Sequence, residues 1–169
     1  MRVERYFAFV DLCGFTRFVD SEGDEQSVAV LHDFRAVVRG VASDHGVRVA
    51  KWLGDGAMFV SPEAAPLLAT TLDLDDRVIA APEITLPLRS GVAGGLVILF
   101  EGDDYIGRPV NLAARLCDAA EPSQVLAEAA LEPHLGPGVR GVAAGEFVLS
   151  GFNAPIPVMR LGVRARQTG

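Results

Sequence analysis

Ala50-Lys-Trp-Leu-Gly-Asp-Gly-Ala-Met-Phe59 is the stretch on which the reading of this chain turns. It is apolar at Trp52, Leu53, Met58 and Phe59, a pattern that predicts burial, yet it carries a lysine and an aspartate four residues apart. Val47–Leu53 and Ala57–Ser61 read as two strands, with Gly54-Asp55-Gly56 as the tight hairpin between them. A carboxylate raised on such a turn at the edge of a core suits a metal ion. Asp-Gly is also the commonest hairpin signal, and an aspartate there needs no ligand. The hairpin by itself leaves both readings open.

Outward from the hairpin, Tyr6–Leu12 reads as a buried strand ending on Asp11, and Cys13-Gly14-Phe15-Thr16 as a sharp strand-to-helix turn. Unpaired N–H groups at such a helix start can bind anionic oxygens. Ser21–Asp24 reads as a break. Val28, Leu31, Phe34, Val38 and Val41 then fall at helical spacing within Gln26–Ser43, which Gly46 ends. Pro62–Ala80 is a second helical stretch, Leu88–Phe100 a long strand with glycines at 91, 94 and 95, and Glu101–Gly107 an acidic link. Pro109 opens a third helix through Ala119. A short strand at Val125-Leu126, a short helix over Ala127–Leu135 and a turn-rich segment over Gly136–Gly145 follow. Phe147–Leu149 and Pro157–Val163 read as a closing pair of strands, and residues 164–169 as a frayed tail. Strands and helices alternate without strict βαβ units. The expectation is one α+β domain over residues 1–169, a ferredoxin-like mixed or antiparallel sheet covered by helices.

Composition narrows the function classes. With 169 residues, 50% apolar and 22% charged, the chain is a globular domain with room for a core. A net charge of −7 without a basic run argues against a nucleic-acid binder, though a nucleotide whose charge is balanced by metal ions remains compatible. No run approaches the ~18 apolar residues of a membrane span, and the first residues form no signal peptide. Cys13 and Cys117 lack metal-ligand spacing, and the three isolated histidines read as surface residues. A reduced, cytoplasmic setting without a membrane or nucleic-acid partner is expected.

Asp11 and Asp55 can meet at one sheet edge if their strands are neighbours. Hard cations such as Mg²⁺ take one or two carboxylates plus phosphate oxygens, and two such ions can clamp a displacement at phosphorus. Asn111 and Arg115 stand four apart on the third helix, hence on one face. In isolation that pair reads as a capping amide and a solvated arginine.

Taken together, four stretches are specific: Phe9-Val-Asp-Leu-Cys-Gly-Phe-Thr16; Lys51-Trp-Leu-Gly-Asp-Gly56; Arg89-Ser-Gly-Val-Ala-Gly-Gly95; and Gly102-Asp-Asp-Tyr-Ile-Gly-Arg-Pro-Val-Asn-Leu-Ala-Ala-Arg-Leu116. In this order they resemble the catalytic domain of class III adenylate/guanylate cyclases, over roughly residues 5–163. The resemblance implies conversion of ATP to 3′,5′-cyclic AMP and pyrophosphate with two divalent metal ions, Mg²⁺ or Mn²⁺. It implies that Asp11 and Asp55 hold the metals, and that Leu12, Cys13, Gly14, Phe15 and Thr16 cradle the triphosphate. Lys51 and Asp104 match the pair that reads the purine. An ammonium donor and a carboxylate acceptor suit the N1 and exocyclic amine of adenine. Asn111 would orient the ribose and Arg115 stabilise the transition state. It further implies a head-to-tail homodimer with two shared active sites, metals on one protomer and purine and transition-state residues on the other. The sequence departs from the pattern at Ser150, where the family carries a lysine to the triphosphate. That departure supports an alternative: a catalytically weak cyclase-homology module that binds nucleotide or a partner chain as a regulator.

Overall fold

The computed structural model describes residues 1–164. Its organising element is β1 (Arg2–Leu12), whose side chains alternate between two cores. Tyr6, Ala8, Val10 and Leu12 enter one core, and Phe7 and Phe9 pack with the other. A strand buried on both faces reads as an unbroken apolar run, which is why Tyr6–Leu12 was legible. Its start was not: Arg2, Glu4 and Arg5 are charged, and Arg2–Arg5 join the strand by pairing with Gly95–Ile98.

Around β1 lies a sheet of order β2-β3-β1-β4-β6-β8-β7, with β5 on the end of β4. The strands are β2 (Arg48–Leu53), β3 (Gly56–Ser61), β4 (Leu88–Phe100), β5 (Asp104–Ile106), β6 (Val125–Glu128), β7 (Val139–Phe147) and β8 (Ile156–Val163). All pairings are antiparallel except β4 with β6. That parallel pair is joined through α3 (Arg108–Ala119), as a parallel connection requires. α1 (Phe15–His45) and α2 (Ala64–Ala80) cover one face of the sheet, packing Phe34, Val38, Leu67 and Leu68 against β1 and β3. α3 covers the other face with Leu112, Ala113 and Leu116. The expected α+β sandwich is borne out.

Several boundaries differ from expectation. The break at Ser21–Asp24 is a kink within α1. Gly23 alone leaves helical geometry, at φ 84° and ψ 174°, and the Ser27 hydroxyl donates to its carbonyl at 2.6 Å. The helix expected over Ala127–Leu135 is instead β6 followed by a 3₁₀ turn, Ala129–His134. Pairing with β4 and β8 on either side outweighs the helix propensity of its alanines and leucine. The turn-rich segment 136–145 contains most of β7, whose glycines sit on an edge strand with an irregularity between Ala143 and Gly145. Of the strand expected at Phe147–Leu149 only Phe147 is in β7; Val148 is exposed and Leu149 turns into the α3-side core. The acidic link holds the short strand β5. The frayed tail falls outside the described residues from position 165 onward.

The fold also carries an electrostatic cost. Asp75 on α2 is half-buried with no hydrogen-bond or ion-pair partner among the described residues. Burial, reinforced by Asp76, pushes its carboxyl from 3.8 up to about 6. Between about pH 4 and pH 6 the folded chain keeps a proton that the unfolded chain has lost, so stability falls as pH rises through that window. Asp75→Asn is expected to stabilise the fold by about 1–2 kcal/mol at neutral pH, after allowance for partial exposure. The gain should vanish below about pH 4. Urea melts at the two pH values check this; equal gains at both would contradict it.

Candidate active site

The register of the central strands assembles the first half of the site. Asp11 on β1 lies opposite Gly56 on β3 and opposite Arg89 on β4. The hairpin therefore delivers Asp55 beside Asp11. Close approach here needs glycine: a Cβ on Gly56 would stand 2.9 Å from the Asp11 Cβ and collide with the Val10 carbonyl. The hairpin is braced from α1, where Arg35 Nη2 donates to the Gly54 carbonyl at 3.2 Å. The Arg35 and Arg39 guanidiniums lie 4.9 and 5.1 Å from the Trp52 ring centroid. Trp52 and Leu53 are thus not buried as their apolarity suggested. Leu53 is 43% exposed, because β2 is the sheet edge; Met58 and Phe59 on β3 are buried.

Asp11 and Asp55 line a cavity of about 340 Å³ with the Leu12–Thr16 turn and Arg89. Burial chiefly, and the Asp11 charge next, raise the Asp55 pKa; its own backbone N–H and Arg89 oppose the shift. Arg89 Nε and Nη2 donate to the two Asp11 oxygens at 2.6 and 3.1 Å, and that contact holds the guanidinium firmly protonated. Sequence reading quoted Arg89 within a motif but assigned it no role. The available signal was a charged residue opening an otherwise apolar, glycine-rich strand.

The turn is more selective than expected. The Leu12 side chain is buried, and its N–H donates to the Asp55 carbonyl at 3.1 Å. The Cys13 N–H donates to the Pro87 carbonyl at 2.7 Å, and burial keeps the Cys13 thiol protonated. The N–H groups of Gly14, Phe15 and Thr16 have no partner among the described residues, and α1 has no side-chain N-cap. These three can receive anionic oxygens.

The second half of the site lies across the sheet. Gly91 on β4 lets α3 pack directly on the strand: a Cβ there would run into the backbone at Ala113, Leu116 and Cys117. This contact sets Asn111 and Arg115 into a cavity of about 780 Å³ with Arg108, Ser150, Phe152 and Asn153. The two cavities share no lining residue. They are joined within the chain: Arg89 Nη1 donates to the Asp118 carbonyl at 2.9 Å, and Arg115 Nη1 lies 3.5 Å from the Asp118 carboxylate. Lys51 Nζ and Asp104 Oδ1 pair at 2.5 Å between β2 and β5, both about half exposed. Arg48 ties β2 to the same segment by donating to Asp103 and to the Tyr105 hydroxyl.

The adenylyl cyclase CyaB from P. aeruginosa superimposes on this chain with a TM-score of 0.85 at 23% identity, over 100% of this chain and 98% of that one. The chain has the class III nucleotide cyclase fold. Among curated proteins, a cyclase-fold relative is a pH-sensitive adenylate cyclase of Mycobacterium tuberculosis. It is 34% identical over 170 residues, covering 96% of this chain and 41% of that protein. An uncharacterized protein of the same organism is 39% identical over 153 residues, covering 90% of this chain and 40% of its own length. The chain thus spans about two fifths of these relatives. No protein-family model matches it.

Whether the cyclase-fold site suits divalent ions is a question of donors. No group of three or more His, Cys, Asp or Glu side chains able to hold a metal occurs among the described residues. Two carboxylates in one cavity, with Asp55 desolvated and its ionisation further opposed by the Asp11 charge, still suit Mg²⁺ or Mn²⁺ that complete their shells with substrate oxygens. No helix among the described residues is long and apolar enough to cross a membrane.

Proposed function

We propose that this chain is an adenylate cyclase domain that forms 3′,5′-cyclic AMP and pyrophosphate from ATP at a homodimer interface. The observation that carries the reading is the joint placement of Asp11, Asp55 and three free N–H groups in one cavity, with Asn111 and Arg115 in another. Each cavity is half of a phosphoryl-transfer site, so a second copy is needed to bring the halves together. An apolar stripe favours such a partner: Leu96, Ile98, Phe100 and Ile106 on β4 and β5 are 42–61% exposed, adjoining the Lys51–Asp104 pair.

In this reading the ribose 3′-hydroxyl attacks the α-phosphorus. A new P–O bond forms, the bridging bond to the β-phosphate breaks, and the hydroxyl proton is released. Asp11 and Asp55 would hold the divalent ions, which supply charge neutralisation at phosphorus. The Gly14–Thr16 N–H groups bind the phosphates, and Arg89 lines the same cavity as a fixed cation. Asn111 of the partner copy orients the ribose, and its Arg115 stabilises negative charge growing on the phosphorus oxygens. Lys51 of the partner copy donates to adenine N1, and its Asp104 accepts from the exocyclic amine. An exposed ion pair is worth only about 0–1 kcal/mol, so parting Lys51 from Asp104 to admit the base costs little.

Ser150 favours a second reading, a nucleotide-binding module of low activity, because a hydroxyl replaces a charge in the cavity wall. One assay separates the two. Protein at increasing concentration is incubated with Mg²⁺ or Mn²⁺ and either ATP or GTP. Cyclic AMP exceeding cyclic GMP, with specific activity rising as dimer forms, is the expected result. ATP binding without product at any concentration would favour the module.

A further inference from the structure

The cavity beside α3 holds more positive charge than Asn111 and Arg115 account for. Its wall contains a second guanidinium, Arg108, and no carboxylate, in a chain whose net charge is −7. Arg108 is the first residue of α3, so the positive pole of the helix adds to its charge. Two contacts hold it in place. Nη1 lies 3.3 Å from Oε2 of the buried Glu128, and the guanidinium sits 5.7 Å from the Phe152 ring centroid. Glu128 also accepts the Gly94 N–H at 3.0 Å.

Counter-charge for Glu128 is one reason for a cation here, since a buried carboxylate needs a partner. It does not use the whole group. A guanidinium has five donors in a fixed fork, one of which reaches Glu128. The side chain is 53% exposed and borders the same cavity as Ser150. A fork anchored on one edge and open on the other is suited to bidentate contact with phosphate.

We propose that Arg108 is a phosphate-binding residue, supplying from the start of α3 the cation for a nucleoside triphosphate that the wall at Ser150 lacks. The proposal rests on the cyclase reading for the identity of the ligand. It makes Ser150 a relocation of charge and not a loss of function.

Removing Arg108 alone strands Glu128 and risks the fold, so the comparison is between Glu128→Gln and the double variant Arg108→Gln/Glu128→Gln. Binding of tripolyphosphate and of adenosine is measured with Mg²⁺ present, together with ATP kinetics. The double variant is expected to bind tripolyphosphate about tenfold to a hundredfold more weakly than Glu128→Gln. Its KM for ATP should rise in step, with adenosine affinity unchanged. Equal tripolyphosphate affinity in the two variants would reduce Arg108 to a counter-ion and overturn the proposal, as would a parallel loss for adenosine. A wild-type chain that makes no cyclic AMP, yet loses tripolyphosphate binding with Arg108, would fail the cyclase reading while upholding the phosphate site.

Discussion

Asp55→Ala is expected to lower cyclic AMP formation roughly a thousandfold while leaving the fold as stable as before, or slightly more so. The rate loss follows from the proposed role. With one of two carboxylates gone, the cavity keeps only Asp11, which is already engaged by Arg89. Several kcal/mol of charge stabilisation at phosphorus would go with the lost ligand. The fold should tolerate the change because the Asp55 side chain bonds no other residue among the described ones, whereas its backbone carbonyl, which ties the hairpin to Leu12, is unaffected. Its carboxylate is desolvated and repelled by Asp11, so its removal relieves strain. Asp11→Ala is a poorer probe, since it would also strand Arg89. Matched melting curves and initial rates decide the matter. A variant that retains its rate would remove Asp55 from the metal site.

Mixing inactive Asp55→Ala with inactive Arg115→Ala is expected to restore about a quarter of wild-type activity. In an equal mixture half of the dimers pair unlike chains, and each of those has one intact site and one doubly defective site. The Arg115 variant should fold, because its guanidinium makes only an exposed contact with Asp118 one helical turn away, worth little. Activity should follow the product of the two chain fractions as their ratio is varied. Two folded variants that exchange subunits yet recover nothing would refute a site shared between copies. The Asp11–Arg89–Asp118–Arg115 chain gives this experiment further interest, for in a shared-site dimer it connects the metal carboxylate of one site to the arginine of the other.

The hairpin, the strand ending on Asp11 and the helix bearing Asn111 and Arg115 were all legible, because each is a local pattern: a turn dipeptide, an apolar run, a four-residue spacing. Most of the elements misread lie in the last third of the chain. There the end of β6 and most of β7 are strand because neighbours pair with them, and the alanines and glycines there carry no strand signal of their own. Trp52 was misjudged for a related reason. Apolarity predicts burial, but nothing local indicates that two arginines from α1 would cover the ring at a sheet edge. Within the Leu12–Thr16 turn, five residues were expected to act alike. Only three keep free N–H groups, since the Asp55 and Pro87 carbonyls claim the other two.

What the sequence determined by itself was the kind of chemistry: two carboxylates, a glycine turn at a helix start, a lysine–aspartate pair and an amide–arginine pair, in an order specific enough to resemble one family. Which of these groups meet was decided by tertiary structure alone. Antiparallel register sets Asp55 and Arg89 against Asp11, and the bare backbone of Gly91 lets α3 settle on the opposite face, in a separate cavity. Arg108 gains its place the same way, from a buried glutamate on a distant strand. Side-chain type is written residue by residue, but the distance between two charges is a property of how the sheet is paired and covered.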